Sequence, residues 1–364
     1  KFNRLAFHGG HSVPRSAAYQ KGNGAQLVKP LVEKAKSLGV KIQNRTRLVD
    51  IVVENGRVAG AVITEGYKFP DEKSGKNVRV RVKKGLVLAG GGFSQNVELR
   101  KLHDPRLGPQ LESTNQPGAN GDALMAAQRI GATDIQMDWI QLGPWTSPDE
   151  NGFGVAPLFV ESAVGYGPMV DPATGKRFIQ ETGNRKVRAD AIVAIGHPTL
   201  IYTCVKNAEN KIIGKNMTKE LYDRAVKNGV IKVYPDLKAM ADDLKIPFDA
   251  LKKTNDTFNG YIKDQKDPDF NCMMFKNAVP NVEGPFLAVR LWPRVHHTMG
   301  GLEINDQAQV LDVRGNPIQC LYAAGEVTGG VHGMVRLGTV AVADCMIFGR
   351  IAARTANACK GCGK

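Results

Sequence analysis

The chain is 364 residues long, enough for one large domain or two ordinary ones with a sizeable core. It is 42% hydrophobic and 23% charged, with a mean hydropathy of -0.25, and no run approaches the roughly 18 uninterrupted apolar residues that a membrane helix needs. The net charge of +14 is scattered, without a basic–aromatic stripe or a nucleic-acid motif, so it argues against nucleic acid and for anionic ligands and general solubility.

In chain order, residues 23–39 place Leu27, Leu31, Val32, Ala35 and Leu38 at helical spacing, and Gly39 is a stop. Residues 40–43 read as a short strand. Two β-rich runs, 47–54 and 57–64, are joined by Asn55-Gly56, a two-residue hairpin signal. Residues 78–82 alternate as a half-exposed strand should. Leu86-Val87-Leu88-Ala89 is a short apolar run, read as a buried parallel strand. Gly90-Gly91-Gly92 follows, then a helix from about Asn96. Strand, glycine turn and helix in that order present backbone amides to a ligand at the strand ends, although a glycine triplet alone fits a plain tight turn equally well.

Residues 142–282 are richer in Pro, Lys and Asp, with helical segments near 217–228 and 236–265. The glycine-rich α/β texture then resumes: a strand over 320–326, a loop through Gly338, and an apolar helix over 340–356. The middle segment reads as a domain inserted between two halves of another. The domains expected are therefore 1–141 with 283–358, 142–282, and a tail at 359–364. Nothing near residue 1 supplies a strand plus G-x-G-x-x-G with an acid about 20 residues on. The start at Lys1, without Met or signal peptide, reads as a mature or truncated product.

Of the six cysteines, Cys204, Cys272, Cys320 and Cys345 sit singly in apolar surroundings and read as buried thiols. Cys359 and Cys362 form one C-x-x-C, too few ligands for a structural zinc site and lacking the His of a haem-attachment motif. An inert tail is expected there. His8 and His11 read as loop residues.

Three strings are more specific than any of these signals. They are Val295-His296-His297-Thr298-Met299-Gly300-Gly301; Gly325-Glu326-Val327-Thr328-Gly329-Gly330-Val331-His332-Gly333 with Arg336-Leu337-Gly338; and Gly175-Lys176-Arg177-Phe178 with Glu181 and Arg185. With Ser113-Thr114-Asn115-Gln116-Pro117-Gly118 and Gly121-Asp122, they resemble the flavoprotein family of fumarate reductases and succinate dehydrogenases, nearest to soluble flavocytochrome c fumarate reductases. The resemblance runs from about residue 23 to 357. It implies an α/β fold, with a Rossmann-like FAD-binding domain and an inserted α+β capping domain that closes over a substrate.

The resemblance also implies roles. His296 and Arg336 match the pair that grips a substrate carboxylate, for which a guanidinium fork and an imidazole donor are suited. Arg185 matches the general acid that protonates the carbon α to it. Arg is a weak acid, with a pKa above about 12, so it needs immediate reprotonation, and Glu161 matches the relay carboxylate that supplies it. The positions implied at FAD are Leu48, Gly90, Gly91, Thr114, Asp122, His297 and Glu326, with Ala341 and Val342 at a helix start facing the flavin. Thr298, Met299, Gly300, Glu326 and Thr328, with the His297 backbone, resemble a monovalent-cation site. His332 reads equally as a second ligand or a packing residue.

The chain departs from the family at the far end of the substrate site. The positions of a His, a Thr and a relay Arg are Gly143, Val160 and Val164 here, with Trp145, Phe153 and Tyr166 close by in sequence. Gly143 and Val160 would leave a second substrate carboxylate unpaired. The expected substrate is therefore a monocarboxylate, urocanate-, cinnamate- or methacrylate-like, rather than fumarate. Hydride would pass from flavin N5 to the β-carbon and a proton from Arg185 to the α-carbon. Alternatives are fumarate reduction itself, an FAD dehydrogenase oxidising a saturated acid or ketosteroid-like substrate, and a non-catalytic assembly subunit without FAD. Electrons would come from a c-type cytochrome, a haem domain or a reduced flavin carrier. The resemblance implies anaerobic respiration in a periplasmic location, with the cytoplasm as the alternative.

Overall fold

The computed structural model describes residues 4–6, 11–18 and 24–359. His8, Cys362 and most of the 359–364 tail lie outside the described residues. The chain divides into two compact units. The first holds Lys1–Gly108, Gln116–Gln141 and His297–Lys364, and the second holds Pro109–Asn115 and Leu142–His296. The inserted unit is thus larger than 142–282: it runs on to His296 and takes in a short segment at 109–115.

In the first unit the Asn55-Gly56 signal folds as expected. Strands Thr46–Glu54 and Arg57–Glu65 pair antiparallel, and both turn residues take positive φ, 51° and 75°, as a tight hairpin matching strand twist requires. Lys76–Arg81 adds a third antiparallel strand. The sheet continues through Pro317–Ala323 to Gln309–Leu311, and Leu86–Leu88 pairs with Pro317–Ala323 in parallel. Leu88 is buried but Val87 is exposed, so this strand is less enclosed than its apolar run suggested. The strand delivers the chain into the glycine turn and helix Val97–His103, whose first turn is capped by Asn96 accepting from the Leu99 amide. Helix Val340–Ala358 packs Ala352 and Ala356 against Tyr322 and Ala308.

Three expectations need correction in this unit. Residues 40–43 form no strand; the alternation is present, but all four side chains are exposed and no ladder partner faces them among the described residues. Helix Ala25–Ser37 forms, yet none of its residues is buried. Cys345 is exposed on its helix rather than buried, and Cys320, though buried as expected, is disulfide-bonded rather than a free thiol.

The second unit is built on a five-stranded antiparallel sheet in the order Lys176–Arg177, Met169–Asp171, Thr199–Cys204, Phe286–Leu291, Lys232–Tyr234. Both faces are covered, and the strand period of two sorts the side chains. Leu200, Tyr202 and Cys204 enter one core with Phe286 and Ala288, while Ile201 enters the other with Leu287, Val289 and Leu291. Helices Lys219–Lys227, Leu237–Leu244 and Phe248–Asp264 match the expected helical segments, broken at Lys245, which takes a left-handed conformation at the end of its helix. Ala156–Ala163 and Arg185–Ile195 were not foreseen as helices, and they carry the chemistry described next.

Candidate functional site

In the first unit, Leu48, Gly90 and Asp122 line one cleft of about 570 Å³, together with Gly118 and Phe69. Gly91 has φ +78° and open space where a side chain would stand, so the backbone there is bare to a ligand. The Asp122 carboxylate is held by Arg47, Nε to Oδ2 at 2.6 Å and Nη2 to Oδ1 at 3.0 Å, and by Asn120 at 3.0 Å. That contact raises the Arg47 pKa above its ordinary value. Arg47 also pairs with Glu72. The sequence reading missed Arg47, whose charge inside a strand gave no sign of its partner.

A second group in this unit surrounds His297, which is 3% exposed. Its Nδ1 is 3.2 Å from Glu326 Oε2, and Glu326 Oε1 accepts from the Thr298 amide at 3.0 Å. Burial pushes the His297 pKa down, with Glu326 opposing, so the ring is neutral near pH 7. Its Nε2 is buried and meets no partner among the described residues, an orphaned polar atom of the kind a bound group satisfies. His332 stacks edge-on against His297, with centroids 5.3 Å apart, and its Nε2 is 3.2 Å from Asp344 Oδ2; this favours its packing role. Gln141 donates to the Arg336 carbonyl at 3.0 Å and so props the backbone of a residue only 7% exposed. His11, a loop residue as expected, is bonded through Nε2 to the Gly338 carbonyl at 2.7 Å. Ala341 and Val342 occupy the first turn of helix Val340–Ala358. Segments 301–303 and 327–329 run side by side through the Leu302–Thr328 bridge, and the Thr328 hydroxyl is committed to the Gly325 carbonyl.

In the second unit the expected donor and relay come together. Arg185 opens helix Arg185–Ile195, capped by Asn184, and its Nη2 is 3.9 Å from Glu161 Oε2. Its guanidinium lies over the Trp145 ring at 4.4 Å, and no acceptor reaches its buried Nε among the described residues. Burial lowers the Arg185 pKa; Glu161 opposes the shift and the like charge of Arg188 adds to it. Trp145 in turn sits edge-on to His296, at 5.4 Å between centroids, and Phe153 lies 5.7 Å from the same imidazole. Thr114, expected at the cofactor, has its hydroxyl 2.9 Å from His296 Nδ1, so it sets the orientation of that ring.

Loop geometry explains this convergence. Buried Arg294, two residues before His296, donates to Glu112 and to the carbonyls of Ser147, Glu150 and Gly152. The Glu150 side chain accepts from the Val155 and Ala156 amides at 2.8 and 2.7 Å, satisfying the start of the helix that carries Glu161. Neither Arg294 nor Glu150 was singled out from the sequence.

Two expected substrate positions are buried. Val160 is wholly buried in a core with Trp145, Phe159 and Ala163, because the apolar residues 156, 159, 160 and 163 share one helix face, so it lines no open surface. Gly143 is also buried, and its lack of a side chain serves Trp145: a Cβ there would stand 3.3 Å from the indole Cζ2. Tyr166 stacks on Phe275 and donates to Asn277 at 2.8 Å, away from the site residues. Among the described residues, Glu181, Asp267 and Cys272 form a cluster with metal-ligating atoms, but Arg177 is already bonded to both carboxylates.

A family model described as "FAD binding domain" matches residues 3–342. The acrylate reductase flavoprotein subunit of Shewanella woodyi is 39% identical over 352 residues, covering 95% of this chain and 68% of that protein. The urocanate reductase of Eggerthella lenta is 33% identical, covering 97% of this chain and 56% of that protein. The open conformation of a flavocytochrome c3 fumarate reductase superposes with a TM-score of 0.77 at 31% identity, covering 97% of this chain and 59% of that one. The chain therefore spans between about half and two thirds of the length of these three proteins.

Proposed function

From the premise that this chain belongs to the FAD-binding domain family, we propose that it is the flavoprotein part of a reductase that saturates the carbon–carbon double bond of an α,β-unsaturated monocarboxylate. Leu48, Gly90, Gly91, Asp122, His297, Glu326, Ala341 and Val342 would hold FAD; the cleft beside Gly90 and the orphaned His297 Nε2 fit such a group. When bound, the flavin supplies hydride to the substrate β-carbon. His296 and Arg336 hold the α-carboxylate and stabilise the enolate-like charge that develops. Arg185 protonates the α-carbon, and Glu161 returns the proton to it. Thr298, Met299, Gly300, Glu326 and Thr328 would hold a monovalent cation. A c-type cytochrome or haem domain supplies electrons, in a periplasmic setting.

The observation that carries the substrate class is the seating of Trp145 over Gly143. A Cβ at 143 would already be tight against the indole, and glycine itself offers no clamp for a second carboxylate. A dicarboxylate buried there would keep one charge unpaired, at a cost of several kcal/mol. Relatives named for acrylate and urocanate agree with this reading. The test is anaerobic turnover by the FAD-loaded full-length protein with reduced viologen as donor. The kcat/KM for a short or aryl-substituted 2-enoate is expected to exceed that for fumarate by about 100-fold; equal or better fumarate reduction would overturn the assignment.

A further inference from the structure

Glu161 is bonded more closely to a different arginine than the one that resemblance assigned to it. Arg188 Nη2 donates to Glu161 Oε1 at 3.0 Å, while Arg185 Nη2 is 3.9 Å from Oε2. Both arginines project from one helix, three residues apart, so a single turn places two guanidinium groups on one carboxylate. Arg188 is 3% exposed, and its Nε and Nη1 meet no acceptor among the described residues. Burying a guanidinium this poorly satisfied is costly, and the carboxylate that meets it is Glu161. The position that resemblance gives to a second relay arginine is Val164, the residue closing the helix that carries Glu161.

We propose that Arg188 is the positioning residue of proton delivery: it pins Glu161 Oε1 so that Oε2 faces Arg185, replacing from the neighbouring helix the cation missing at 164. This rests on the reading of Arg185 as proton donor. The Arg185 guanidinium loses a proton to the α-carbon, whose lone pair forms the new C–H bond. The neutral guanidine takes a proton from the Glu161 carboxyl, and the carboxylate is reprotonated by water, to which its 30% exposed side chain is open. Arg188 stays cationic throughout and transfers nothing. Its like charge also disfavours the cationic form of Arg185.

The test uses the FAD-loaded full-length protein, reduced and mixed anaerobically with a short 2-enoate. In Arg188→Ala, kcat is expected to fall about 10- to 100-fold with KM and flavin content unchanged, and the solvent deuterium isotope effect to rise as proton delivery becomes limiting. Arg188→Lys should recover part of the loss. The double variant Val164→Arg/Arg188→Ala should recover at least about tenfold over Arg188→Ala, a gain that a purely structural role does not provide. If Arg188→Ala does not fold, Arg188→Lys and the double variant carry the test. The inference fails if Arg188→Ala, or Arg188→Lys in its place, keeps both the wild-type kcat and isotope effect, or if arginine at 164 restores nothing. Failure here with Arg185→Ala inactive sinks this inference alone; an active Arg185→Ala sinks the donor reading itself.

Discussion

Arg185→Ala is expected to lower enoate turnover by about 100- to 10,000-fold, the range by which a positioned general acid accelerates a reaction, while FAD content stays at the wild-type level. The size of the effect follows from its surroundings. The guanidinium is desolvated, lies on the face of Trp145 and is 3.9 Å from the carboxylate that reprotonates it. Arg188, the other guanidinium at Glu161, is fixed on the opposite oxygen. Visible absorbance of the purified variant gives the flavin content, and viologen oxidation gives the rate. Near-wild-type turnover would remove Arg185 from the chemistry. Because Arg185 stands in the first turn of its helix, where the helix dipole disfavours a cation, its removal should not unfold the unit.

Arg177→Ala should have the largest effect on stability. Arg177 donates to Glu181 at 2.8 and 2.7 Å and to Asp267 at 3.2 and 2.6 Å. Both carboxylates are wholly buried, and Phe258, Tyr261 and Phe270 all place ring centroids within 5.9 Å of the guanidinium. The substitution strands two carboxylates in the interior, and breaking a buried pair in this way costs about 3–5 kcal/mol. Glu181 also accepts the Met169 amide at 3.0 Å and Asp267 the Cys272 amide at 3.0 Å, so the sheet edge and the 267–272 turn loosen together. Urea unfolding followed by circular dichroism should show a clearly lower midpoint; an unchanged midpoint would mean that the network contributes nothing net.

The sequence exposes what depends on local pattern and hides what depends on phase and packing. The Asn55-Gly56 hairpin, the Leu86–Leu88 strand before its glycine turn and helix Val340–Ala358 all carry local signals, and all are present. Residues named from the family motifs also converge within each unit: Leu48, Gly90 and Asp122 on one cleft, Glu326 with His297, and Arg185 with Glu161. Arg188 was not legible. It is one of three basic residues between 185 and 188, and only the helix phase separates it from Lys186, which pairs instead with Asp190 on the outer side. The burial of Val160 has the same origin: adjacent residues on a helix point about 100° apart, so Glu161 can reach the arginines while Val160 enters the core. Trp145 was noticed only as a nearby aromatic. That it fills the space above Gly143 and carries the guanidinium is a tertiary fact. Thr114 sits beside His296 because residues 109–115 join the second unit, a segment boundary that no composition shift announces.

The most direct test follows the hydrogens. The FAD-loaded full-length protein is reduced with dithionite in D2O and given one equivalent of a 2-enoate, and the saturated product is examined by proton and deuterium NMR. Protonation by Arg185, refilled through Glu161 from solvent, puts one deuterium on the α-carbon of every product molecule in a single stereochemical sense. An unlabelled or stereorandom α-carbon, or no oxidation of the reduced flavin by the enoate, would contradict the account.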